Sequence, residues 1–124
     1  MSWHLDHVQL AIPPGAEERC DEFYVEILGF SREEKPASLA ARGGRWYRQG
    51  AVALHLGVAL DFQPATKAHP AFRLDSYEAL VTRLAAAGYH VRVDHALAGP
   101  VHCYVDDPVG NRLELIDGSD RHRR

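Results

Sequence analysis

Three histidines and one glutamate, His7, His55, His69 and Glu114, are the residues whose types and placement could do chemistry in this chain. Imidazole nitrogen and carboxylate oxygen together suit a borderline divalent transition metal such as Fe(II), Mn, Co, Ni or Zn, and leave positions open for water or substrate. The chain has 8 histidines, and five of them (His4, His90, His95, His102 and His122) fall outside this set, so abundance selects nothing. Taken singly, each of the three reads better as an ordinary half-exposed histidine than as a ligand. Position is what singles them out.

The elements that must position these side chains follow from periodicity. From Trp3 to Ile12, Val8, Leu10 and Ile12 alternate with His7, Gln9 and Ala11, which predicts a strand. Pro13-Pro14-Gly15 ends it, and Ala16 to Leu28 carries Cys20, Phe23, Tyr24, Ile27 and Leu28 at helical spacing, with Gly29 as the stop. Phe30 to Arg48 reads as two short strands around turns, and Ala51 to Val58 as a strand that sets His55 opposite Leu54 and Leu56. His69 to Asp75 is another strand. Asp75 and Glu78 then resemble a capping box opening a helix over Ser76 to Ala87, with Gly88 as its stop. Tyr89 to Asp94 and Val101 to Asp106 are further strands, and the turn Asp107-Pro108-Val109-Gly110-Asn111 leads into a last strand on which Arg112, Glu114 and Ile116 oppose Leu113 and Leu115.

The two halves match in outline: strand, helix ended by glycine, about three strands. Gly29 to His55 spans 26 residues (55 − 29) and Gly88 to Glu114 spans 26 (114 − 88), which puts His55 and Glu114 on equivalent last strands. His7 and His69 open the two first strands. The expected fold is therefore α+β, two βαβββ modules over about residues 3–58 and 69–117 of a single domain, with 118–124 as a flexible tail. If the helices cover one face, all four candidate ligands line the other.

The hairpin DPVGNRLELID, the opening DHVQLAI followed by FYVEILGF, and the second-half start HPAFRLD resemble the vicinal oxygen chelate superfamily, which includes glyoxalase I, bleomycin-resistance proteins, fosfomycin-resistance proteins and extradiol dioxygenases. That resemblance implies a curved, mostly antiparallel eight-stranded sheet around a metal, helices on its outer face, a homodimer, and chelation of vicinal substrate oxygens. By position it implies His7, His69 and Glu114 as a 2-His-1-carboxylate set. His55 falls where glyoxalase I carries a glutamate, so lactoylglutathione chemistry is not expected. Isomerase, dioxygenase and lyase or transferase chemistry all stay open, and a metal-free dimer that sequesters an antibiotic or metabolite is the alternative.

Around the metal, Glu114 and Tyr104 are the candidate proton-transfer groups, and Gln9, Arg73, His102 and Arg112 the candidate substrate contacts, because each shares a face with a ligand or with a neighbour of one. Trp46 and Tyr47 are read either as an aromatic wall or as core, and Cys103 as a small buried hydrophobe. A net charge of -3 with scattered basic residues argues against nucleic acid, and no apolar run suits a membrane span. Two isolated cysteines point to a reducing cytoplasm, and the resemblance implies a small-molecule substrate.

Overall fold

Each half of the chain is built on one parallel strand pair and two hairpin-like ladders. The computed structural model describes residues 1–94 and 99–119, so His95, His122 and most of the expected flexible tail lie outside the described residues. In the first half, Val8–Ile12 is β1, Glu17–Asp21 is α1, running on as a π-helical turn over Glu22–Ile27, Ser31–Glu33 is β2, Ala37–Ala40 is α2, Arg45–Gln49 is β3 and Val52–Val58 is β4. In the second, Ala71–Leu74 is β5, Tyr77–Ala86 is α3, Arg92–Asp94 is β6, His102–Asp106 is β7 and Arg112–Asp117 is β8. These are the two expected βαβββ modules of an α+β fold. They fall in two compact units, Met1–Ala65 and Thr66–Arg124. No helix among the described residues is long and apolar enough to cross a membrane.

The strand orders are β1-β4-β3-β2 and β5-β8-β7-β6. In each sheet the first pair is parallel and the other two are antiparallel. In the first unit Leu10, Ile12, Leu54 and Leu56 on the sheet and Cys20, Phe23, Tyr24 and Leu28 on the helical segment are all buried. In the second, Cys103, Val105, Leu113 and Leu115 face Tyr77, Leu80 and Leu84. Burial of each large side chain contributes about 1.5–3 kcal/mol. Cys103 is fully buried, and burial raises its thiol pKa, so it is inert packing.

Local chemistry fixes the ends. Gly29 and Gly88 both take positive φ (85° and 90°) after their helices, and Tyr89 N–H bonds Leu84 C=O at 3.0 Å in a Schellman arrangement. In the last turn Asp107 Oδ1 accepts the amides of Val109 (3.0 Å) and Asn111 (2.8 Å), while Gly110 sits at φ 94°. Asp21 on α1 accepts the Tyr47 hydroxyl at 2.7 Å and Arg45 Nε at 3.0 Å, tying helix to sheet through a polar contact beneath the core.

Several expectations need correction, among them two strand starts: β5 begins at Ala71 rather than His69, and β6 at Arg92 rather than Tyr89. The first strand begins at Val8 rather than Trp3, because Trp3 and Leu5 (85% and 81% exposed) have nothing to pack on. A helical turn, α2, stands between the two short strands of 30–48: after Pro36 the run Ala37-Ser38-Leu39-Ala40 favours helix. The capping box does not form; Ser76 holds the cap position of α3 without a side-chain bond.

Candidate metal centre

The ladders put the candidate ligands at equivalent places. Gln9 pairs with His55 and Ala71 pairs with Glu114, so His7 and His69 each lie two residues ahead of the residue opposite the second donor. Across the next ladder Trp46 opposes His55 and Tyr104 opposes Glu114. The repeat read from the glycine spacing is thus the repeat of the sheets.

In the second unit His69 Nε2 is 3.0 Å from Glu114 Oε1, and His69 Nδ1 is 2.9 Å from the Lys67 carbonyl. A carbonyl only accepts, so Nδ1 carries the hydrogen. In the neutral ring Nε2 is then an acceptor facing a carboxylate, and only a proton or a cation between the two satisfies both. The Tyr104 ring packs edge-on to His69 (5.6 Å between centroids) and to His102 (5.8 Å). Arg112 lies 5.3 Å over the same ring. Its ladder partner Asp106 is engaged by Arg92 at 2.9 Å, and Arg112 Nε is buried without a hydrogen-bond partner among the described residues. His102 is buried, 3.4 Å from Asp94. Arg73 is exposed and opposes Ile116, further along the face that carries Glu114.

In the first unit His7 Nδ1 donates to Asp6 Oδ2 at 2.8 Å, which leaves Nε2 as the free nitrogen and lowers the Asp6 carboxyl pKa, chiefly through that bond. The His7 ring stacks on His55 with centroids 4.2 Å apart, and His55 stacks on Trp46 at 4.3 Å. Burial, then the neighbouring His7, lowers the His55 pKa and favours its neutral form. Gln9 runs over Gly57, where an added Cβ would lie 2.6 Å from its Nε2. These groups line a cleft of about 540 Å³ together with Lys35, Arg42 and Arg48.

His7 and His55 are thereby brought together in one unit and His69 and Glu114 in the other. Among the described residues no three His, Cys, Asp or Glu side chains gather as a metal-holding group. Of the aromatic pair, Trp46 lies on the His55 face and Tyr47 is core, fully buried and stacked on Tyr24 at 5.3 Å, as adjacent strand residues must diverge. Sequence reasoning missed Asp6 and the Lys67 carbonyl, the groups that orient the imidazoles. It also missed the opposition of Trp46 to His55, which a two-residue turn at Gly50-Ala51 would have given.

No protein-family model and no curated protein sequence matches the chain. Among solved structures it is similar to a protein from Bacillus anthracis described as a glyoxalase family protein, at 39% identity and TM-score 0.90 over 94% of this chain and 96% of that one. A glyoxalase family protein from Enterococcus faecalis matches at 22% identity and TM-score 0.66 over 92% and 97%. The fosfomycin resistance protein of Listeria monocytogenes, solved with Mn(II) and 1S,2S-dihydroxypropylphosphonic acid, matches at 18% and 0.77 over 99% and 98%.

Proposed function

The chain belongs to the glyoxalase family, within the vicinal oxygen chelate superfamily, and from that premise we propose that it is a metal-dependent enzyme acting on a small substrate with two neighbouring oxygens. His7, His69 and Glu114 are the proposed ligands. The observation that carries this reading is the shared preparation of the two histidines: each has Nδ1 held by a local acceptor, leaving Nε2 to ligate, and at His69 that nitrogen already faces a carboxylate. The donor set fits a divalent transition metal, and the Mn(II) held by the Listeria protein supports one.

When bound, such a cation supplies Lewis-acid stabilisation to charge developing on the chelated oxygens. The chain's own groups do the rest. Glu114 takes or returns a proton at its second oxygen, and Tyr104, directly opposite it, supplies a hydroxyl donor. Arg112, whose charge meets no carboxylate among the described residues, binds an anionic substituent, and Gln9, His102 and Arg73 orient the remainder. The open edge strands β1, β2, β5 and β6 support assembly as a homodimer.

Elemental analysis of untagged protein beside Glu114→Gln tests the proposal. Near-stoichiometric metal, lost in the variant, is the expected result. No metal in either protein after incubation with the divalent series at about pH 7.5, where free imidazole is mostly neutral, would overturn it in favour of a metal-free binding protein.

A further inference from the structure

The His55 ring lies between two others, inclined 17° to His7 and 8° to Trp46. An imidazole nitrogen offers its lone pair in the ring plane and bonds a divalent metal at about 2.0–2.1 Å along that direction. Two nearly parallel rings with centroids 4.2 Å apart send their lone pairs side by side rather than to one point. A cation within bonding reach of both would sit between the planes, out of line with either lone pair. As placed, His7 and His55 do not share a metal.

His7 also needs support of another kind. It stands ahead of β1, which begins at Val8, so no ladder holds its backbone. Its other anchor is Asp6, whose side chain is 95% exposed. His55 is better placed to give that support: it is 9% exposed, lies on a central strand, and is backed by Trp46 directly across the ladder.

We propose that His55 is a positioning residue rather than a ligand, a ring clamped by Trp46 that fixes the plane in which His7 presents Nε2. The inference rests on the metal reading above and assigns the fourth candidate a different task. A planar ring at position 55 is then what matters, and its nitrogens are dispensable.

Isothermal titration of the full chain with Mn(II) and Zn(II) tests this. His55→Phe should bind metal within about threefold of the parent, His55→Ala about 10- to 100-fold more weakly, as expected on losing an orienting partner, and His7→Phe not measurably. In the metal-free protein, NMR should show the His7 ring protons displaced upfield by the stack, with the displacement kept in His55→Phe and lost in His55→Leu. Equal losses in His55→Phe and His7→Phe would make His55 a ligand and overturn the proposal alone. Unchanged affinity in His55→Ala, or no upfield displacement in the parent, would also overturn it. A parent that binds no metal would overturn the metal reading and this one with it.

Discussion

Replacing Asp21 by alanine should cost about 3 kcal/mol, because the loss falls on groups that cannot turn to water. Asp21 Oδ1 receives the Tyr47 hydroxyl at 2.7 Å and Arg45 Nε at 3.0 Å, with Oδ2 3.1 Å from the same Nε. Tyr47 is fully buried, so the variant strands its hydroxyl. A hydrogen bond to a charged acceptor contributes about 1.5–3 kcal/mol, and a stranded buried donor costs about 1–3 kcal/mol. Arg45 adds a smaller share, since its guanidinium keeps the Gly44 carbonyl at 3.2 Å when the carboxylate is gone. Burial, then the Asp21 bond, raises the Tyr47 pKa, so it remains a donor throughout the accessible range. Tyr47→Phe, which removes donor and demand together, should cost about 1.5 kcal/mol, and the double variant should lose less than the two singles combined. Urea unfolding followed by circular dichroism and by fluorescence of the neighbouring Trp46 gives all three values. An Asp21→Ala loss below about 1 kcal/mol, or simple additivity, would refute the argument.

Other expectations follow from the same contacts. At Gly44 (φ 86°) an added Cβ would lie 2.2 Å from the Leu56 carbonyl oxygen, whereas at Gly50 (φ 57°) it would meet nothing within 4 Å. Gly50→Ala should therefore cost about 1–2 kcal/mol for its backbone alone, and Gly44→Ala clearly more; equal urea midpoints would contradict this. The Glu17 pKa is lowered, first by the Gly44 amide bond, so the unfolded chain binds that proton more readily. Its contribution is full above the ordinary value of 4.5 and is lost as pH falls through the lower folded value. Glu17→Gln should flatten the acid limb of stability against pH, and parallel curves would rule that out. In metal-loaded protein, Arg112→Ala should weaken inorganic phosphate binding about tenfold or more, with Arg112→Lys between; an unchanged dissociation constant would remove Arg112 from anion recognition. Mixing His7→Ala with Glu114→Gln should restore metal binding if the ligands come from two copies and leave it absent if one chain supplies all three.

Much of the layout was legible because strand side chains alternate and short turns fix register. Gln9, His55 and Glu114 could be assigned to the face away from Leu54, Leu56, Leu113 and Leu115 from period two alone. Gly29 and Gly88 marked both helix ends, since only glycine takes the positive φ there without strain. The equal spacing from those glycines to His55 and Glu114 survives as equal ladder registers. Less was legible where the deciding partner is remote or weakly patterned. Glu78 looked like half of a capping box, yet no side chain caps α3. Asp21 stands out in no local pattern, yet it ties down Tyr47 and Arg45 from β3.

The sequence by itself determined which residues share a face and which strands are equivalent, because both follow from local backbone geometry and the counting of residues between turns. Only the tertiary structure decided what those residues do to one another. The rotation of the His55 ring is set by Trp46 and His7 on two other segments, and the tautomers favoured at His7 and His69 by a carboxylate and a carbonyl beside them. Ring orientation is a side-chain torsion chosen by packing, and no periodicity encodes it.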